Sequence, residues 1–277
     1  MIFKKIASNR TAEAIIAQLE GLVLEGVLRV GDRLPAEREL AARMDVSRPV
    51  LREALKDMED RNLIEARHGG GTYIANVIGT VFSDAIVSII HRHPKALADY
   101  FEFRRDLEGM TAAHAANRAT DIDRQILTRI FNQMKKYHET GTLDQEIEAD
   151  IEFHMAIGEA SHNMMLLHTL RSCYKLLVDG VFYSRKSLYG MQGVQEIVLE
   201  QHQAIYDAIM NRDSVSARNA AVDHIAYVEL TLSRAEKQDK RASFSQMRLE
   251  QMDLREKPRR RSIASAPANP ETSNSNS

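Results

Sequence analysis

The stretch Arg33–Leu55, RLPAERELAARMDVSRPVLREAL, decides the fold. It reads as two short helices joined by a tight turn. The first spans about Ala36 to Met44. Pro35 precedes it, and Glu37 and Glu39 in its first turn complement the positive end of the helix dipole. The second starts after Ser47, whose hydroxyl is placed to accept a bond from a free backbone N–H of the first turn. Pro49 costs little there, because a first-turn N–H has no helical partner. Val50, Leu51, Ala54, Leu55 and Met58 recur at helical spacing and make one apolar face, with Leu40, Ala41 and Val46 facing it. The result is a helix-turn-helix that presents Ser47, Arg48 and Arg52 at the exposed start of its second helix.

Those residues suit a DNA duplex. In such a motif the start of the second helix enters the major groove. An arginine there forks onto the two acceptors of guanine, and Arg38 nearby fits phosphate or base. Arg48 and Arg52 alone read better as a solvated face, so the flanking chain decides. Upstream, a helix from Thr11 to Val27 carries Ile15, Leu19, Leu22, Val23 and Gly26 on one side. Downstream, Asn62 closes a turn, Leu63–Ala66 reads as a strand, Arg67–Gly71 as a glycine loop and Thr72–Ala75 as the returning strand. Three helices plus a hairpin make a winged helix. Arg67 and His68 sit at the wing tip, where glycine backbone can approach a groove closely. The glycines lack the following Lys-Ser/Thr that a nucleotide phosphate loop needs.

The segment from about Thr11 to Ala75 resembles the winged-helix DNA-binding domain of the GntR family of bacterial transcription regulators. LPAERELA, VSRPVLREAL and the wing LIEARHGGGTYI carry the resemblance. It implies that Arg38, Arg48, Arg52, His68 and Gly69 lie at the operator.

The chain has 277 residues, enough for about two domains. A net charge of −2 excludes a globally basic protein, so any DNA contact comes from a local patch. A lone cysteine, Cys173, cannot form an internal disulfide and fits a reducing compartment. No apolar run approaches the roughly 20 residues of a membrane span, and MIFKKIASNR lacks a signal-peptide core. These features predict a cytoplasmic protein with no membrane partner. They divide it into a winged-helix domain over 1–76, a linker over 77–80, a helical domain over 81–236 and a disordered tail over 237–277. Helices are expected near 81–91, 95–118, 122–138, 143–160, 163–185, 194–211 and 213–236, an all-α bundle. The fold class is mainly α. Past Glu236 the apolar stripe fades into a basic cluster at 257–261 and a Ser/Asn/Pro-rich end.

The bundle carries polar residues on apolar stripes. Asp150 and His154 share a face with Leu143, Ile147, Ile151 and Ile157; His202 lies among Val194, Val198, Ile205 and Ile209; His224 lies among Ala217, Ala221, Val228 and Leu232. Burying a carboxylate and three imidazoles costs several kcal/mol unless something satisfies them. Each histidine can be a satisfied core residue, or a divalent cation can satisfy all four; mixed oxygen and imidazole ligation suits zinc, nickel or manganese. Arg104, on the stripe Leu97, Phe101, Leu107, Thr111, needs an anion: a ligand carboxylate, or an internal acid. The domain resembles the FCD effector domain of the FadR-type branch, on the runs FEFRRDLE, EADIEFHMAIGEASHN, EQHQAI and AAVDHI. The resemblance implies Asp150, His154, His202 and His224 as metal ligands and points to Arg104 with Glu108 as an R-x-x-x-E pair. Asn163 follows a family position and either caps the next helix or lines the cavity.

The reading is a metabolite-responsive transcription regulator, not an enzyme. It binds a two-fold DNA operator as a homodimer, and a small organic acid held by the metal and Arg104 relieves repression. The rival is a metal-dependent hydrolase using the Asp/His cluster and zinc-activated water. Once four side chains hold the metal, no clear general base remains for it.

Overall fold

A computed structural model describes residues 2–4, 11–67, 70–76, 93–140, 142–178, 188–189 and 191–256. The expected linker at 77–80, the helix at 81–91 and the wing residues His68 and Gly69 lie outside the described residues.

Helix α1 (Ala12–Leu24) is capped by Thr11, whose hydroxyl accepts from the Ala14 N–H, and buries Ile15, Ile16, Leu19 and Val23. It stops three residues before the expected Val27. The Leu28 N–H closes back on the Leu22 carbonyl at 2.9 Å, and Gly26 takes a φ of +75°. A side chain at Gly26 would meet Arg171 Nη2 at 2.8 Å. Helices α2 (Glu37–Met44) and α3 (Arg48–Asp60) flank Asp45, which holds a left-handed φ of 56°. Ser47 precedes α3 in extended backbone, but its hydroxyl makes no capping bond. The expected cap had two possible donors, and one belongs to Pro49, which has no N–H. Strands β1 (Ile64–Arg67) and β2 (Gly71–Ile74) pair antiparallel, Ile64 opposite Ile74 and Arg67 opposite Gly71. Leu34 and Asp32 add backbone bonds to Thr72 and Ile74, each 2.9 Å, so the chain entering α2 edges the wing. Leu19, Leu40, Met44, Leu51, Ala54 and Met58 close the core without solvent exposure.

The bundle comprises α4 (Pro94–Arg118), α5 (Asp121–Thr140), α6 (Leu143–Ala160), α7 (Met164–Val178), α8 (Val194–Met210) and α9 (Ser214–Glu256). Turns between them use short polar caps. The Thr120 and Asp123 side chains cap the start of α5, and Asn163 Oδ1 accepts from the Met165 and Leu166 N–H groups ahead of α7. Asn163 therefore caps rather than lines the cavity. At Gly109 a Cβ would stand 2.8 Å from Val222, so α4 and α9 approach as closely as glycine permits. One apolar cluster gathers Phe131, Phe153, Ile157, Ile205 and Ile209 with alanines of α4 and α9; a second gathers Phe101, Leu107, Leu170, Tyr174, Val198 and Ile225.

The turn after α1 docks on the bundle. Arg29 Nη2 donates to both Glu159 oxygens at 2.8 and 3.1 Å, and Arg171 Nη2 donates to the same carboxylate at 2.8 Å. His168 Nε2 reaches the Leu24 carbonyl at 3.0 Å, and burial pushes this imidazole below its ordinary pKa.

The tail departs from expectation. The sequence predicts disorder from residue 237, but α9 continues to Glu256 as a helix of 43 residues. The stretch has no glycine or proline and is rich in Lys, Arg, Gln, Glu, Leu and Met, all good helix formers. Residues 257–277 lie outside the described residues.

Candidate metal centre and DNA-facing surface

Helix α6 places Asp150 and His154 one turn apart on its inward face; α8 supplies His202 and α9 supplies His224. All four are buried, His202 completely. Their donor atoms lie within 4.8 Å of one another. His154 Nε2 is 3.1 Å from His202 Nε2. Asp150 Oδ1 is 3.2 Å from His202 Nε2 and 3.7 Å from His154 Nε2. Ligands about 2.1 Å from one ion stand roughly 3.0–3.4 Å apart, so this spacing suits a shared cation.

The outer nitrogens set which ring atoms face the centre. His154 Nδ1 meets Glu108 Oε2 at 2.6 Å, and His224 Nδ1 meets Gln201 Oε1 at 3.0 Å. Each acceptor holds the proton on Nδ1 and leaves the Nε2 lone pair pointing inward, as in carboxylate-supported metal histidines. Two lone pairs and a carboxylate then face His202 Nε2, whose single proton can satisfy only one of them, whereas a cation satisfies all four groups. Burial, then the His202 and His154 imidazoles, push His224 well below its ordinary pKa, and burial pushes His202 down. Neutral imidazole is the form that ligates. The donor set fits a divalent cation.

Arg104, buried on α4, is met from inside. Its Nε donates to Glu108 Oε1 at 2.5 Å and its Nη2 to the Tyr174 hydroxyl at 2.6 Å. The guanidinium lies over the Tyr174 ring, 4.7 Å from its centroid. Burial alone would raise the Glu108 carboxyl; the Arg104 charge, with His154, outweighs it and holds the group far below the carboxylate range. Glu108 thus ties the arginine to a cluster histidine. A small cavity is lined by Arg104, Asp150, His224, Leu188, Tyr189, Val198 and Val228. Sequence reasoning named Glu108 only as the partner of Arg104 and did not name Tyr174 or Gln201. Glu108 one turn after Arg104 was a usable signal; nothing local marks the other two.

On the winged helix, Arg38, Ser47, Arg48 and Arg52 are all exposed. Arg52 is partly engaged, its Nε 2.6 Å from Glu37. Arg67 closes on Glu65 and stacks over Tyr73, 4.3 Å from the ring centroid, at the end of β1. The structure therefore groups Arg38, Arg48 and Arg52 around α2 and α3 and holds Arg67 against its own sheet.

A winged helix with arginines at the head of its second motif helix, joined to a bundle with a polar interior, defines a DNA-binding regulator carrying a sensor domain. The model for bacterial regulatory proteins of the gntR family matches residues 11–74, and the FCD domain model matches residues 99–227. A putative L-lactate dehydrogenase operon regulatory protein of Escherichia coli is 36% identical over 235 residues, 83% of this chain and 89% of that protein. The Glc operon transcriptional activator of Escherichia coli is 33% identical over 223 residues, 79% of this chain and 88% of that protein. LutR of Bacillus subtilis, an HTH-type transcriptional regulator, is 28% identical over 213 residues, 76% of this chain and 96% of that protein. The chain belongs to the GntR family and is a metabolite-responsive, DNA-binding transcriptional regulator rather than an enzyme. No described helix is long and apolar enough to cross a membrane.

Proposed function

We propose that a small 2-hydroxy acid controls this regulator from within the bundle, and that the acid releases a homodimer from a two-fold DNA operator in the cytoplasm. Asp150, His154, His202 and His224 hold a divalent cation, zinc first, with nickel or manganese as alternatives. The cation supplies an electrophilic anchor for an acid oxygen. One observation carries the reading: a single small cavity is bordered by Arg104 together with Asp150 and His224 of the cluster. As it stands the cavity has room for about one water, so an acid enters only as the lining moves apart, and its carboxylate then shares Arg104 with Glu108 and shifts charge along the Arg104–Glu108–His154 chain. Such a ligand acts only through unequal affinity for two arrangements of the protein. The relative named for an L-lactate dehydrogenase operon supports a short hydroxy acid. Arg38, Ser47, Arg48 and Arg52 meet the operator from the motif helices, and Arg67, His68 and Gly69 from the wing.

The test combines metal analysis, thermal shift and operator retardation on one preparation, with lactate and other 2-hydroxy acids as probes. The reading expects about one divalent ion per chain, a melting-temperature rise with an acid, and weaker retardation when that acid is present. His202→Ala should lose the ion and the acid response together. Full metal occupancy in that variant, or no response to any 2-hydroxy acid, overturns it.

A further inference from the structure

Helix α9 runs well beyond the FCD match, which ends at residue 227. Its last 24 residues, from Ser233, form a unit separate from the rest of the chain. This segment exposes Leu249 and Met252 on one side, each more than half accessible, and Phe244 and Met247 on others. In proteins most helical stability comes from packing one face of the helix rather than from propensity.

The sequence register says which face. Buried positions Ala221, His224, Val228 and Thr231 recur at alternating intervals of three and four. The same register continues as Ala235, Gln238, Ala242, Ser245, Leu249 and Met252, six positions without a charge. These are the a and d positions of three heptads. Ser245 is compatible with a seam because its hydroxyl already donates to the Arg241 carbonyl at 3.0 Å. The flanking positions are strongly sorted. Arg234, Arg241 and Arg248 occupy successive g positions, while Asp239, Gln246 and Asp253 occupy the e positions. All six are exposed.

We propose that residues 235–252 pair with the same segment of a second copy as a parallel, in-register coiled coil. In that arrangement each g residue meets the e residue five places on in the other helix, so Arg234 meets Asp239 and Arg248 meets Asp253. An antiparallel pair would instead bring the g rows together, arginine against arginine, which charge repulsion disfavours. The seam is rich in alanine, glutamine and serine, so it is weak alone and gains from contacts that hold the two chains together elsewhere. The inference concerns how two copies pair and rests on the homodimer reading, not on the metal or the acid.

The test uses the full chain with Cys173→Ser, so that no native thiol intervenes. Ala235→Cys sits on the seam far from the segment's centre; Met247→Cys sits on the outer side. Mild oxidation should give a covalent dimer from the first and little from the second. Leu249→Asp with Met252→Asp should raise the dimer dissociation constant by about tenfold in sedimentation equilibrium, as expected when two seam positions are lost. Equal crosslinking at 235 and 247, or a sedimentation dimer with no crosslink at 235, overturns the parallel seam. A sedimentation dimer that retards the operator but fails these tests refutes the seam and leaves the regulator reading standing. A crosslinked dimer that ignores the operator does the reverse.

Discussion

The two domains spend their interiors differently. The winged helix buries only apolar side chains among its described residues, from Ile15 through Met58 to Ile74. The bundle buries Arg104, Glu108, Asp150 and three cluster histidines alongside its leucines and phenylalanines. One domain carries its chemistry on the surface over a plain core; the other carries it inside. A buried ion pair or imidazole cluster is weak evidence for stability, because apolar residues of similar size often pack as well. The cost of that polar interior is the physical mark of a sensor, and the plain core beside it shows what this chain builds when stability alone is required.

Mutations can break or sharpen this contrast. The largest effect is expected at Glu108→Ala, which removes a buried carboxylate from the Arg104 guanidinium and should cost about 3–5 kcal/mol in denaturant unfolding. An unchanged midpoint would show that the bundle interior is more hydrated than its burial implies. Leu51→Ala should cost about 3 kcal/mol through a cavity in the winged-helix core, while metal content stays at the wild-type level. Loss of metal in that variant would join the two interiors into one cooperative unit. Arg48→Ala should leave the melting temperature unchanged and weaken operator binding by about 1–3 kcal/mol in a titration at fixed salt; intact affinity would move the groove contact elsewhere. The smallest effect is with pH in the metal-free protein. His202 and His224 are pushed down in the folded state, so the unfolded chain binds more protons just below the ordinary histidine pKa. Stability is then full above about pH 6.5 and falls as the solution is acidified below it. His202→Ala should flatten that slope, and an equal slope in the variant would assign it to other groups.

Much of this was legible in the residues. The motif helices show because their apolar positions, acidic first turn and the tight turn between them all act locally. The four cluster residues show because a polar side chain on an apolar stripe stands out at helical spacing. Gln201 could not be read that way: it neighbours His202 in sequence but serves His224 from across a helix pair. The contacts of Arg67 with Glu65, two residues back on the same strand, and with the Tyr73 ring across the hairpin were not legible either, because they depend on the side-chain geometry of the sheet. The end of α9 departs from the sequence expectation because a fading apolar stripe reports lost packing, not lost helix, and the segment is rich in helix-forming residues to Glu256.

Helix α6 holds two functions on one rod. His154 sits at the centre of the bundle, and Glu159, five residues on and about 7.5 Å along the axis, grips Arg29 from the turn behind α1. The two are joined by about one turn and a half of continuous helix, so a shift of α6 at the imidazole can reach the carboxylate through the rod itself. A metabolite bound in the interior as proposed would have a mechanical route to the seat of the DNA-reading domain without ever touching it.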